Sequence, residues 1–180
     1  MYNTMNIKFY KLTIIFSVIF GILVTMTSCD LINGGDEDDD NTGDYMITFQ
    51  TEDGLKEFTS EDAVVGLVEQ NDKQHTAIFS GGSSDLSIGL QIYDDKNIAE
   101  STYSGYSIDQ STSTIVGVGL IFIADQEVYI SSYYQQSDVV IKISELTSNS
   151  ARGTFSGSVR SSLGNDLTIT EGKFYVPLEN

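Results

Sequence analysis

Several residue types that carry much of protein chemistry are scarce here: the chain has one cysteine, one histidine, one proline and no tryptophan. A single cysteine excludes an internal disulfide, so the fold must be stabilised by its own core. A single histidine, His75, would have to fill every role that hydrolases and zinc sites divide among several. No Gly-x-Ser-x-Gly elbow occurs either. His75 alternates with Ala77 and Phe79, so it reads as a strand residue at the margin of the core. Basic residues are also few, nine Lys and Arg against 26 Asp and Glu, for a net charge of −17. That balance repels nucleic acid and anionic membrane surfaces. No catalytic residue, metal site or cofactor is expected. Facing carboxylates of the glycosidase kind are invisible in sequence, so acidic abundance alone makes no case for a hydrolase.

The one long apolar run lies near the start. Leu12 to Val24 follows Lys8 and Lys11 and leads into Thr25-Met26-Thr27-Ser28-Cys29. Its thirteen residues fall short of the roughly 20 that a membrane-crossing helix needs. Basic residues, a short apolar segment and small residues before a cysteine make a lipoprotein signal, residues 1–28, cleaved between Ser28 and Cys29. Cys29 then becomes the lipidated first residue of the mature chain. Met26 stands where such signals favour leucine. Each buried methylene contributes about 0.8 kcal/mol, so several acyl chains on Cys29 would hold the protein at the membrane. Loss of residues 1–28 removes Lys8 and Lys11 and no acid, leaving 26 acidic and seven basic side chains, a charge of −19.

Residues 29–44 read as a disordered acidic tether: Asp30 to Asp44 holds seven carboxylates and three glycines. As a flexible coil, these fifteen residues would span roughly 20 Å root-mean-square, and more under self-repulsion. Asp36, Glu37, Asp38, Asp39 and Asp40 form its densest part. An acidic run so close to a lipidated cysteine resembles the signal by which Bacteroidota export lipoproteins to the outer leaflet. The alternative is a plain solvated spacer. A calcium loop fails, because the turn position after Asp36, Asp38 and Asp40 is Asn41 and the closing position is Ile47.

From Tyr45 onward the period is two. Leu86, Ile88, Leu90 and Ile92 alternate with Ser87, Gly89, Gln91 and Tyr93, and Tyr45, Ile47 and Phe49 behave alike. Further runs cover 117–123, 127–133, 139–146, 151–160 and 166–178, with polar breaks such as Ala124-Asp125-Gln126 between them. Residues 45–180 are therefore expected to form one all-β domain, an antiparallel β-sandwich or flattened barrel of eight to ten strands. A chain of this length can bury about two-thirds of its unfolded surface. Pro177 demands an edge position or a strand end. In the final run Leu167 and Ile169 set an odd apolar face, whereas Phe174, Val176 and Leu178 set an even one. The phase must reverse near Glu171-Gly172-Lys173, where the glycine would permit a bulge.

Two segments echo each other, Ser101-Thr102-Tyr103-Ser104-Gly105 and Gly153-Thr154-Phe155-Ser156-Gly157. A pseudo-repeat and convergence on strand-and-turn composition both account for this, and convergence is the simpler. With tryptophan absent, stacking on sugars would fall to tyrosines; Tyr129, Tyr133 and Tyr134 cluster, although a strand tyrosine more often serves packing or cross-strand pairing.

The pairing of Gly153-Thr154-Phe155-Ser156 with Thr170-Glu171-Gly172-Lys173-Phe174 resembles the closing strands of a family of Bacteroidota outer-membrane lipoproteins of unknown function. Asp53-Gly54-Leu55-Lys56-Glu57-Phe58 and Ser101-Thr102-Tyr103 resemble its earlier segments. The resemblance implies an all-β domain on a lipid tether and brings no catalytic residues. The tryptophan frequent after the early turn in that family is missing, with Phe58 nearest. Together these features lead to a lipid-anchored, surface-exposed envelope component that engages a glycan or an envelope protein, with a carboxylate hydrolase and a lipocalin-like carrier as lesser alternatives.

Overall fold

The computed structural model describes residues 44–70, 74–109, 114–133 and 137–179, the side chains of Asp109 and Tyr133 excepted. These residues form twelve strands and one 3₁₀ turn, with no α-helix among them. In chain order the strands are β1 (Met46–Thr51), β2 (Gly54–Phe58), β3 (Ala63–Gln70), β4 (His75–Gly82), β5 (Leu86–Asp94), β6 (Ser101–Ser104), β7 (Tyr106–Asp109), β8 (Thr114–Ala124), β9 (Glu127–Ile130), β10 (Val140–Leu146), β11 (Ser150–Ser161) and β12 (Asp166–Glu179). They make one mixed sheet in the order β2-β1-β12-β3-β4-β5-β8-β9-β11-β10-β6, with β7 on β8 and β11 also on β12. The described residues belong to one compact unit.

Three expectations are corrected here. The strand count is twelve, because β2, β6, β7 and β9, of four or five residues, are too short to display an alternation. The run 127–133 stops as a strand at Ile130 and turns 3₁₀ over Ser131–Tyr133. The sheet is also not purely antiparallel: Leu178 and Glu179 pair in parallel with Gly66 and Leu67. The ladder between β1 and β12 reaches only to Tyr175 on the β12 side, and β3 takes over the backbone groups beyond it. Pro177, without an N–H, falls in that handover.

Alternation explains the core. Ile88, Leu90 and Ile92 are buried, as are Leu167 and Ile169 before the bulge and Phe174 and Val176 after it. One face of the sheet supplies this core, and strands distant in the order meet across it. Phe49 of β1 meets Phe122 of β8 edge-on at 5.4 Å; along the same face Phe79 of β4 stacks at 4.7 Å on Phe174 of β12, with only β3 between their strands. The β8–β9 turn places Asp125 and Gln126 both at positive φ, 50° and 68°, the two-residue hairpin geometry whose twist suits the flanking strands.

The bulge lies where the phase reversal requires it, but Glu171 rather than Gly172 takes the left-handed conformation, at φ 53°. Both neighbours register it: three residues of β1, Thr48 to Gln50, face the four from Lys173 to Thr170, and Phe155 to Gly157 of β11 face the four from Gly172 to Ile169. Thr170 and Glu171 thus both point outward, and Gly172 turns in.

Candidate functional site

Ser28, Cys29 and the cluster Asp36, Glu37, Asp38, Asp39 and Asp40 lie outside the described residues. So does Tyr134, and Tyr133 is described only as backbone of the 3₁₀ turn. Tyr129 is committed to packing. Its ring lies 6.2 Å from that of Phe122, and its hydroxyl donates to Glu127 Oε2 at 3.0 Å. Burial, reinforced by the Glu127 carboxylate, raises the Tyr129 phenol above its ordinary value. Glu127 is shifted down, by the Ser161 hydroxyl first and Asn165 next, whose Nδ2 donates to Oε1 at 2.9 Å. This group joins the β8–β9 turn to the β11–β12 turn.

Other polar groups inside the sheet also serve architecture. Gln74 Nε2 donates to the carbonyls of Asp94 and Ile115, and Gln74 Oε1 accepts from Ile115 N–H at 3.1 Å. His75 opens β4 opposite Gln70 and Asp94. Its Nδ1 is buried and has no hydrogen-bond partner among the described residues. Among the described residues no group of three His, Cys, Asp or Glu side chains is arranged to hold a metal ion.

The outer face of β2-β1-β12-β11-β10-β6 is different. Register aligns its outward residues into rows across the strands. One row reads Glu57, Thr48, Lys173, Thr154, Lys142, Thr102. The next, at the bulge, passes from Gln50 through Thr170 and Glu171 to Ser156, Val140 and Ser104. A shallow depression of about 480 Å³ spans the two rows, bounded by Val140, Thr154, Ser156, Glu171 and Lys173. On the far side of the lysine row, the Arg152 guanidinium lies 4.4 Å over the Tyr175 ring, which also contacts Tyr45 at 4.9 Å.

The echo between the two segments acquires a physical meaning on this face. Both segments flank β10 in the same register: Thr102 and Thr154 oppose Lys142, Tyr103 and Phe155 oppose Ile141, and Ser104 and Ser156 oppose Val140. The aromatic of each set points to the core and the hydroxyls point outward. Sequence reading noticed the echo and missed its partner strand, because register across β10 is not written in either segment. It also passed over Tyr45, Tyr175 and Arg152, which are brought together only by the β1–β12–β11 pairing.

Comparison with protein-family models finds no match, and no curated protein or solved structure matches the chain.

Proposed function

We propose that the protein is a lipid-anchored outer-membrane lipoprotein, exposed at the cell surface, whose all-β domain is a non-catalytic interaction module of the envelope. Acylated Cys29 is the anchor, freed by cleavage after Ser28, and the cluster Asp36 to Asp40 is the export address. Membership among the Bacteroidota lipoproteins of unknown function would account for both. The observation that carries this reading is the division of chemistry between the two faces of the sheet. Phe49, Phe58, Phe79, Phe122 and Phe174 fill the inner face, each no more than 1 % exposed, while hydroxyls, ammonium groups and carboxylates stand outside. A domain built this way engages partners by its surface.

The pairings also run in a circuit, β12-β3-β4-β5-β8-β9-β11 and back to β12, which supports a flattened barrel. The contact of Phe49 with Phe122 across it favours a filled interior over the cavity that a lipocalin-like carrier needs. A glycan-binding accessory module is the second reading, favoured by the outward rows of hydroxyls.

Cell fractionation tests the anchor: Cys29→Ser should release the protein from the membrane, and a variant still fully membrane-resident would refute it. Replacing Asp36, Glu37, Asp38, Asp39 and Asp40 by alanine should lower protease accessibility on intact cells with little change in thermal midpoint. Unchanged accessibility would leave the cluster a spacer.

A further inference from the structure

We infer that the outer face of β1, β12, β11, β10 and β6 binds a linear acidic polysaccharide lying across the strands, one whose carboxylate-bearing sugars are separated by neutral ones. The inference rests on the surface-module reading and assigns its ligand.

Three observations converge. The first is charge. Six basic residues lie among the described residues; Lys142, Arg152 and Lys173 share this face with Glu57, Glu145 and Glu171, and Arg152 pairs with Glu145 at 3.9 Å. Neither Lys142 nor Lys173 has an ion-pair partner within 4.0 Å among the described residues. Two exposed ammonium groups with no carboxylate in ion-pair range among the described residues attract anions.

The second is repetition. Along the row Thr48, Lys173, Thr154, Lys142, Thr102, hydroxyl and ammonium alternate from strand to strand. Adjacent strands stand about 4.8 Å apart, so the charges recur at about 10 Å. β6 and β11 both run antiparallel to β10, so the Thr102 and Ser104 hydroxyls repeat those of Thr154 and Ser156 by a translation of about 10 Å. A translationally repeated array suits a ligand that is itself a linear repeat. It suits a sparsely charged polymer better than a nucleic acid, which carries a phosphate on each strand for about every 3.4 Å of duplex axis and would extend onto the surrounding carboxylates.

The third is the bulge. Glu171 holds a left-handed conformation that glycine would adopt more readily, and it stands at the rim of the depression beside Ser156 and Lys173. Its carboxylate can accept from sugar hydroxyls, which the Thr and Ser hydroxyls can meet as donors or acceptors. Bulges frequently redirect a side chain beside a binding site.

The test uses the full chain in nonionic detergent, titrated by calorimetry with hyaluronan oligosaccharides, in which each uronic acid alternates with a neutral sugar. Carboxyl-reduced hyaluronan, dextran and single-stranded DNA serve as comparisons. Binding of hyaluronan alone is expected. Lys142→Gln with Lys173→Gln should weaken it by at least about tenfold, as loss of charge-assisted contacts implies. Lys142→Arg with Lys173→Arg should restore it, and Lys96→Gln, away from this face, should leave it unchanged. Circular dichroism of each variant confirms folding. Equal binding of the reduced polymer or dextran, binding of DNA as tight as hyaluronan, an equal loss in Lys96→Gln, or no binding of hyaluronan would each overturn the inference. Fractionation of Cys29→Ser judges the surface-module reading separately, so the two can fail independently.

Discussion

Phe155 lies with its ring against Gly172, the residue opposite it on β12, so that a Cβ on that glycine would stand 2.7 Å from two ring carbons and closer still to the Phe155 carbonyl oxygen. Two residues along the same ladder the arrangement is inverted: Phe174 covers Gly153, whose Cβ would stand 2.5 Å from its ring. Each strand thus supplies an aromatic to shield the other's glycine. This reciprocal pair explains why the Gly-Thr-Phe and Gly-Lys-Phe segments are matched in sequence.

Gly172→Ala should destabilise the domain by about 1 to 3 kcal/mol, because the added methyl meets backbone that cannot swing aside. Gly89→Ala provides the contrast. A Cβ there meets nothing within 4 Å. Restricting the unfolded chain should make that variant more stable by about 0.4 to 1 kcal/mol. Denaturant melts of both variants check the pair, and a neutral Gly172→Ala would show that β11 and β12 approach less closely than described.

Leu90 is fully buried, whereas Gln91 points to the opposite face and accepts a hydrogen bond from the Tyr93 hydroxyl at 3.2 Å. Leu90→Ala should cost about 2 to 5 kcal/mol through lost transfer energy and the cavity left behind. Gln91→Ala should cost much less, since that contact is at the half-exposed face. Equal shifts of the unfolding midpoint would mean that β5 presents no single buried face.

The contrast between these two sites shows what was legible in the sequence. Residues 86–92 carry apolar side chains at every second position without interruption, so the buried face of β5 could be assigned residue by residue. The reversal between Ile169 and Phe174 likewise located the bulge. Sequence suggested glycine as the pivot, yet Gly172 is needed for its missing Cβ and Glu171 bears the unusual dihedral. Periodicity reports which way a side chain points and is silent about which strand lies alongside. The parallel contact of Leu178 with Gly66, the alignment of Lys173, Thr154 and Lys142, and the Tyr45, Tyr175 and Arg152 contacts all depend on partner and register. Tyr129 follows the packing role that a strand tyrosine more often has, with its ring against Phe122, but the identity of that partner was not readable from its neighbours in sequence.

Acid should reveal the Glu127 network. Its folded-state carboxylate is held below its ordinary value by the Ser161 and Asn165 groups, so the unfolded chain binds the proton first as pH falls. The associated stability is present above the unfolded value, about 4.3, and is lost as pH drops through the folded one. Glu127→Gln should therefore show a shallower fall in thermal midpoint over that window than the parent chain. Parallel curves would assign the acid sensitivity to other carboxylates.

The joining role of β12 bears on when the domain can form. Met46 has its partner in Tyr175, Gly66 in Leu178, and Ser150 in Pro177, so three separate stretches of chain await the same strand. Contacts of such long sequence separation form slowly. Until β12 has emerged from the ribosome, β1 and β3 have no neighbour on that side and the circuit stays open. For the exported lipoprotein proposed above, this delay would keep the nascent chain loose during its passage through a narrow secretion channel, with the circuit of strand pairings closing afterwards.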